Sequence, residues 1–236
     1  METTEDAFLG GAVHLTQPKN GYRAGQDPVL LAAACAIEPG QSFVDLGSGV
    51  GTVGLCLQAR VPGLQGLGLE LDPRLVRLAQ NNGLRAQQGD VLLVSPEQKV
   101  DWALSNPPFF TDGKGRPSPN AQRQAGRQGA NIKAWVRAAM AWVKPRGRIG
   151  LILSSAQVPA TLSALQPSFG GIVLKPLLGK TGMDRAERCL LLARQGSRSS
   201  FILAAPLAVR DRQGKLSTQA KSILSCPQNL PLPLVR

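Results

Sequence analysis

The sequence has few of the residue types on which many functional sites depend. It contains a single histidine, His14, and four cysteines that lie far apart without a CxxC pair. A lone histidine argues against a His-dependent catalytic triad or metal centre, and scattered cysteines argue against a zinc knuckle or a disulfide framework. We therefore expect no metal site, and a reducing, cytoplasmic setting.

Signals for export and membrane insertion are also lacking. The first residues, "METTEDAFLGG", are acidic and lack the basic start and apolar block of a secretory signal. Residues 149–174 carry no charge over 26 positions, but serines, glutamines, prolines and a Gly170-Gly171 pair interrupt them. This pattern predicts strand, helix and turn, so we expect no export and no membrane partner.

Acidic residues are scarce in one region, where most of the net charge of +12 is concentrated. Residues 110–148 hold nine Lys or Arg against Asp112 alone, which gives 9 − 1 = +8. Such a stretch is typical either of a solvated loop or of a surface that binds a polyanion beside a site. The 21 residues 110–130 are too long and polar for an ordinary connection, and predict a mobile functional loop or a disordered insertion.

Predicted strands alternate with helices, which is typical of a doubly wound α/β fold with a parallel sheet. The sequence predicts five strands followed by an antiparallel pair, at 42–47, 63–71, 85–94, 100–105, 147–155, 171–178 and 188–196. Residues 131–143 place apolar side chains at helical spacing, with Lys133 and Arg137 off the buried face. The Pro-rich end of the sequence predicts an extended or disordered tail.

A glycine-rich segment, "VDLGSGVGTVG" at 44–54, follows the first predicted strand. Glycine lets the backbone approach a ligand closely, and the start of a helix supplies unpaired N–H groups. Gly49, Gly51 and Gly54 fit the GxGxxG fingerprint of NAD-binding proteins, with an acidic residue about twenty positions on. Asp45 favours S-adenosylmethionine instead, because a carboxylate there can hold an ammonium group and would repel a pyrophosphate. A tight turn that needs glycine is the structural alternative.

Polar side chains end four successive predicted strands: Asp45, Glu70, Asp90 and Asn106. The carboxyl ends of parallel strands meet at one crevice, where such sheets bind ligands. Glu70 is placed to accept hydrogen bonds from both hydroxyls of a ribose. Asp90 can accept one from an adenine amino group, or can cap a turn.

The fourth strand runs into "NPPF", residues 106–109, which predicts a site for a planar amino group. An exocyclic amino group is a poor nucleophile because its lone pair is delocalised. The Asn106 side-chain oxygen and the Pro107 carbonyl can accept hydrogen bonds from it, while Pro107 and Pro108 stiffen the backbone. Phe109 offers a face for stacking, worth about 1–3 kcal/mol for a base.

These residues resemble the class I S-adenosylmethionine-dependent methyltransferases that act on amino nitrogens. That family carries a DxGxG loop, an acidic end to its second strand and an (N/D)PP(Y/F) motif, which "DLGSGVG", "LELD" and "NPPF" match across residues 42–155. Within it, "LTQPKNGYRAGQDPVLLAAA" (15–34) and "GKLSTQAKSIL" (214–224) are similar to segments of the bacterial tRNA1(Val) adenine-N6 methyltransferases.

The resemblance implies one seven-stranded class I methyltransferase domain over residues 41–225, mainly parallel with an antiparallel final strand. An N-terminal segment, residues 1–40, would pack on the cofactor site through Gln26 and Asp27, and residues 226–236 would form an extended tail. Gln26 and Asp27 fit a helix cap equally well. The implied activity is transfer of a methyl group from S-adenosylmethionine to N6 of adenine 37 in the anticodon loop of tRNA(Val).

The site residues fall into three groups. The acceptor base would be held by Asn106, Pro107, Pro108 and Phe109. The cofactor would be bound by Asp27, Asp45, Gly47, Ser48, Gly49, Gly51, Glu70, Asp90 and Asn106. From charge, the RNA-binding candidates are Lys114, Arg116, Arg123, Arg127, Lys133 and Arg137.

Several alternatives remain open, because NPPF does not distinguish adenine from guanine or glutamine. An rRNA guanine-N2 or other nucleic-acid amino methyltransferase fits the same motif. A protein-glutamine methyltransferase shares the chemistry, but such enzymes carry a helical N-terminal domain for which about forty residues leave no room. Two further alternatives are an NAD-dependent oxidoreductase and a non-catalytic RNA-binding module.

Overall fold

The computed structural model describes residues 2–21, 23–108, 131–166 and 168–233. Its first element is a β-hairpin of two antiparallel strands, β1 (Thr3–Phe8) and β2 (Val13–Pro18), joined by a 3-10 turn at Leu9–Gly11. The hairpin was not predicted. Residues of β1 alternate between exposed and half-buried, so the strand depends on its pairing with β2 rather than on a buried face.

The central sheet contains nine strands within the described residues. They are β3 (Ser42–Leu46), β4 (Gln65–Glu70), β5 (Ala86–Gln88), β6 (Val100–Ser105), β7 (Val143–Ser154), β8 (Phe169–Lys180), β9 (Arg188–Gln195), β10 (Ile202–Leu203) and β11 (Leu207–Arg210). Seven of them follow the order β5-β4-β3-β6-β7-β9-β8, with β10 and β11 added to the free edge of β8.

Strand direction agrees with the predicted fold class. The strands β5, β4, β3, β6 and β7 pair in parallel, whereas β9 is antiparallel to both β7 and β8. The prediction of a mainly parallel sheet with an antiparallel final strand is confirmed for these seven strands. The two short strands at the edge, β10 and β11, pair in parallel with β8 and were not predicted.

Helices cover both faces of the sheet. They are α1 (Asp27–Ala34), α2 (Thr52–Arg60), α3 (Pro73–Asn81), α4 (Ile132–Ala141), α5 (Val158–Leu165) and α6 (Thr218–Ser225). Phe43 and Val44 of β3 illustrate the two layers, because neighbouring strand residues point to opposite faces. Phe43 packs in the core formed with α1, α2 and α6, and Val44 in the core formed with α4 and α5.

Several predicted boundaries differ from the structure, and two of the differences have a clear physical cause. The third strand, predicted over 85–94, is confined to Ala86–Gln88, because Asp90 accepts backbone hydrogen bonds from Leu93 and Val94 and turns the chain. The helix predicted over 131–143 ends at Ala141, and Val143 already pairs with Val100 in the sheet. Val143 is therefore apolar because it lies in a buried strand, not because it continues the apolar face of the helix.

The described part of the Pro-rich tail packs against the domain. The Leu230 side chain is buried, and its backbone N–H donates to the carbonyl oxygen of Ala33 at 2.7 Å. Arg60 holds the same region by donating to the carbonyl oxygens of Gln228 and Ile223. Residues 226–233 thus follow a defined path over α1.

Two further findings concern the described residues as a set. None of the helices there is long and apolar enough to cross a membrane. In the same residues, no group of three or more His, Cys, Asp or Glu lies close enough to hold a metal ion.

Candidate active site

The glycine loop, defined here as residues 47–51, joins β3 to α2 and needs glycine for its backbone conformation. Gly47, Gly49 and Gly51 have φ angles of 75°, 57° and 92°, a region that residues with a side chain rarely adopt. At Gly47 a Cβ atom would also lie 3.2 Å from the Trp135 ring. The loop therefore brings bare backbone to the carboxyl ends of the strands.

Asp45, one residue before the end of β3, is a buried carboxyl group. Its residue is 1% exposed, and among the described residues its Oδ2 atom has no hydrogen-bond partner. Burial, with a smaller contribution from the charge of Glu70, raises the pKa of Asp45 to about 7, although a hydrogen bond from the Gly54 amide opposes the shift. A carboxyl group in this state favours a ligand that brings a positive charge or a hydrogen-bond donor.

Ser48 and Thr52 add two more buried polar atoms to the same segment. Neither hydroxyl has a hydrogen-bond partner within the described part of the chain, although the residues are 5% and 2% exposed. Unpaired buried polar atoms are costly and call for a partner such as an ordered water or a ligand. Together with Asp45, these groups fit the amino-acid end of S-adenosylmethionine, which carries an ammonium and a carboxylate.

Glu70 ends β4 and braces the glycine loop. Its Oε2 accepts from the Gly49 N–H at 2.9 Å, and its Oε1 accepts from the Asp72 N–H at 3.0 Å. Burial raises the pKa of Glu70, although three backbone amides oppose this effect. Each carboxylate oxygen retains a lone pair, so the predicted binding of a ribose is compatible with these bonds. The bracing of Gly49 was not predicted.

Asp90 lies two residues beyond β5, in a turn. Its Oδ1 accepts from the Leu92 N–H at 3.0 Å, which is the turn-capping role that the sequence left open. Gly89 donates its N–H to the carbonyl oxygen of Glu70 at 2.9 Å, so the turn lies beside the end of β4. The contact of Asp90 with an adenine stays a prediction.

The acceptor loop, defined here as Asn106, Pro107 and Pro108, begins where β6 ends. The preceding residue, Ser105, is fully buried and donates from Oγ to the Leu46 carbonyl oxygen at 2.6 Å. Trp135 donates in turn from Nε1 to Ser105 Oγ at 3.0 Å. These bonds join the ends of β3 and β6, so the glycine loop and the acceptor loop leave the sheet side by side. Phe109 lies outside the described residues.

The N-terminal hairpin reaches the glycine loop through Asn82. Its Oδ1 accepts from the Thr16 N–H at 2.9 Å, and its Nδ2 donates to the carbonyl oxygens of Thr16 and Val50, each at 3.1 Å. One side chain thus connects β2, the end of α3 and the loop. No pattern in the sequence indicates this pairing of Asn82 with Thr16 and Val50.

Asp27 begins α1 and lies at the same end of the sheet as the acceptor loop. Its Oδ2 accepts from Nε of Arg188 at 3.3 Å, and Arg188 pairs with Ser154 at the end of β7. Gln26 occupies the N-cap position without a side-chain capping bond. That Asp27 and the N-terminal segment cover the cofactor stays a prediction.

The predicted RNA-binding residues are described in part. Lys133 and Arg137 lie on the exposed face of α4, opposite the buried Trp135 and Val136. Lys114, Arg116, Arg123 and Arg127 lie outside the described residues. The role of all six in RNA binding stays a prediction.

Comparisons with known proteins agree on one kind of enzyme. Residues 28–171 match the family described as methyltransferase small domain. A tRNA1(Val) (adenine(37)-N6)-methyltransferase from Actinobacillus pleuropneumoniae serotype 5b (strain L20) is 31% identical over 161 residues, which are 64% of this chain and 67% of the relative.

Solved structures share the fold. A predicted O-methyltransferase from Agrobacterium tumefaciens has a TM-score of 0.71 at 21% identity, covering 86% of this chain and 98% of that chain. A 16S rRNA N2 methyltransferase from T. thermophilus, in complex with AdoMet and guanosine, has a TM-score of 0.55 at 21% identity, covering 82% and 50%. At these identities the likeness shows the class I methyltransferase fold alone.

The family match spans more than half of the chain, and the resemblance inferred from the glycine loop, Glu70 and the acceptor loop is confirmed. The interpretation of the glycine loop as an NAD site is therefore set aside. S-adenosylmethionine is the cofactor, and the chain belongs to the methyltransferase small domain family.

Proposed function

We propose that this enzyme methylates N6 of an adenine in tRNA, and that its target is adenine 37 in the anticodon loop of tRNA(Val). The relative from Actinobacillus is named for that reaction. The net charge of +12 suits an RNA substrate, because binding nucleic acid means neutralising phosphates.

The observation that carries the proposal is the position of the acceptor loop. Asn106, Pro107 and Pro108 leave the sheet next to the glycine loop, through the Ser105 bond to Leu46. An amino group held at the acceptor loop therefore lies beside the cofactor site, as transfer between two bound partners requires.

The cofactor supplies a methyl group on a sulfonium whose sulfur leaves as a neutral thioether, so little activation is needed on that side. Asn106 Oδ1 and the Pro107 carbonyl accept hydrogen bonds from the adenine amino group. They orient its nitrogen and stabilise the positive charge that develops before N6 loses a proton. No side chain with a pKa near neutrality is needed for this role.

The protein's own groups would hold the cofactor along the strand ends. Asp45 takes the ammonium group, the backbone of the glycine loop lies against the cofactor, and Glu70 accepts from the ribose. Asp90 lies at the adenine. The unpaired Oδ2 of Asp45 supports this assignment most directly.

A base inside an RNA helix is out of reach, so the target adenine must be unstacked and turned into the site. The phosphates are bound by Lys133 and Arg137 together with the basic side chains of residues 114–127. Phe109 stacks on the base. With tRNA as its substrate, we expect the enzyme to act in the cytoplasm.

The test is incubation of the protein with labelled S-adenosylmethionine and total bacterial tRNA, followed by mass spectrometry of the nucleosides. We expect N6-methyladenosine, traced to position 37 of tRNA(Val) in nuclease fragments, and about 100-fold slower formation with Asn106→Ala. Methylguanosine would instead indicate a guanine-N2 enzyme, and label in protein but not in RNA would indicate a glutamine methyltransferase.

A further inference from the structure

Gln157 is a buried side chain that touches the acceptor loop. It lies in a 3-10 turn, Ser155–Gln157, directly after β7 and is 5% exposed. Its Nε2 donates to the carbonyl oxygen of Pro108 at 3.2 Å. Its Oε1 accepts from the N–H and the Oγ of Ser154, both at 3.0 Å.

These contacts fix which end of the carboxamide faces the acceptor loop. The Ser154 N–H is a donor only, so the oxygen of Gln157 must lie toward it and the NH₂ toward Pro108. The Pro108 carbonyl is an acceptor only, and the bond cannot form with the amide reversed. Gln157 therefore presents a fixed donor to the loop.

The acceptor loop depends on such a contact because it has few hydrogen-bonding groups of its own. Pro107 and Pro108 have no N–H, so the main chain there can be held only through its carbonyl oxygens. Proline fixes φ but leaves ψ free. The bond from Gln157 to the Pro108 carbonyl therefore anchors the last residue of the acceptor loop.

The turn that carries Gln157 is itself anchored to the sheet. Ser154 pairs with Arg188 of β9, and Ser155 donates from its backbone N–H to the Glu187 carbonyl oxygen at 3.0 Å. Strand β7 lies next to β6, where Leu151 pairs with Ser105. Gln157 thus connects the acceptor loop to a second, rigid strand end.

We propose that Gln157 is a positioning residue for methyl transfer, acting through the Pro108 carbonyl to keep Asn106 and Pro107 aligned with the acceptor nitrogen. This inference rests on the proposed function. An acceptor loop that is no longer anchored at Pro108 would still bind substrate but would hold the acceptor nitrogen away from the methyl group. Misplacement by about 1 Å can lower a rate on the order of 100-fold.

The decisive variant is Gln157→Glu, which keeps the size and the acceptor for Ser154 but sets a carboxylate oxygen against the Pro108 carbonyl. We expect kcat on tRNA to fall about 10- to 100-fold, with KM for tRNA and affinity for S-adenosylhomocysteine within about twofold of wild type. Gln157→Leu, which carries no charge, should behave in the same way.

The matched control is Ser154→Ala, which removes one bond to Gln157 Oε1 and leaves the bond to Pro108 in place. It should keep kcat within about twofold, even where melting temperature falls as much as in Gln157→Glu. A kcat for Gln157→Glu and Gln157→Leu that matches wild type would overturn the proposal. An equal fall of kcat in Ser154→Ala would do so too, because the effect would then be structural.

One readout separates this inference from the proposed function. The carboxamide protons of Gln157 should exchange slowly with solvent in an NMR experiment, in wild type and in Ser154→Ala. Fast exchange would refute the contact whether or not the protein methylates tRNA. Absence of tRNA methylation by wild type with slow exchange would instead reject the proposed function.

Discussion

At the scale of single residues, the proposed chemistry of the acceptor side depends on Asn106. Replacing Asn106 with Ala removes one of two acceptors for the amino group, so we expect kcat to fall about 100-fold, the size seen when one donor is deleted from an oxyanion site. Affinity for S-adenosylhomocysteine, measured by calorimetry, should fall much less than kcat, because Asn106 is only one of the groups proposed to hold the cofactor.

A suitable control for Asn106→Ala is Asn131→Ala. Asn131 caps α4 by accepting from the Ala134 N–H at 3.0 Å, so its loss should cost about 1 kcal/mol of stability. It should leave kcat nearly unchanged. Full activity of Asn106→Ala would remove that residue from the mechanism.

Asp45 should make stability depend on pH. The folded state holds a proton up to a pKa of about 7, whereas the unfolded chain releases it near 3.8. Between these values the folded state binds more protons, so the stability that Asp45 contributes falls as pH rises. Asp45→Asn should flatten urea-unfolding free energies measured from pH 5 to pH 8, and a variant that keeps the wild-type slope would contradict this.

The same residue should couple cofactor binding to proton release. An ammonium group beside Asp45 favours the carboxylate, so binding below pH 7 should expel a proton. Calorimetry at pH 6.5 in buffers of different ionisation enthalpy would detect it, and Asp45→Asn should abolish it. Equal proton release in wild type and variant would place the titrating group elsewhere.

At the scale of elements, Asn82 joins the N-terminal hairpin to the end of α3. Asn82→Ala removes three hydrogen bonds that join β2 to α3 and the glycine loop. At roughly 1 kcal/mol for each bond, partly offset by water, the loss should be about 2 kcal/mol and lower the melting temperature by about 4–8 °C. Calorimetric unfolding measures this directly.

Asn81→Ala is the matched control, because Asn81 is the exposed neighbour on the same helix. The Asn82 variant should also bind S-adenosylhomocysteine more weakly, since the bond to the Val50 carbonyl is part of what holds the loop. A melting temperature equal to that of the Asn81 variant would mean that the hairpin is attached by other contacts.

The sequence predicts elements where the pattern is local. Buried strands such as β3 and β6 are short apolar runs with clear ends, and α4 has a full apolar stripe. The hairpin and the strands β10 and β11 have no such pattern, because their pairing depends on a partner elsewhere in the chain. Tertiary context likewise decided that Val143 begins a strand.

The same division holds within the site. The sequence indicates Asp45, Glu70 and Asn106 as candidate site residues because a polar side chain ends each of several successive predicted strands. Asn82, Ser105 and Gln157 were not, because each side chain binds backbone that lies 66, 59 or 49 positions away. Such bonds leave no periodic or local signal in a single sequence.

At the scale of the whole molecule, charge should govern RNA binding. Neutralising Arg116, Arg123 and Arg127 with Gln should weaken tRNA binding and reduce the slope of log K against log salt by about 2, at about 0.7 for each phosphate contact to single-stranded RNA. Fluorescence titration at several salt concentrations measures the slope.

The control removes the same charge at the amino ends of the parallel strands, away from the proposed site. Arg85 and Lys99 precede β5 and β6, and Arg198 follows the antiparallel β9, so all three lie at the amino ends of the parallel strands. Their Gln variants should leave the slope unchanged. Equal losses in both triple variants would mean that total charge, not position, attracts the RNA.

The path of the tail over α1 has a consequence for synthesis. Ala33 and Leu230, joined by a backbone hydrogen bond, are 230 − 33 = 197 positions apart. At about 5–20 residues per second, a ribosome needs roughly 10–40 s to make that stretch. During this time the nascent chain contains the apolar segment of α1 without the tail that packs on it. We therefore expect chaperones to bind at α1, and aggregation to begin there when translation stalls.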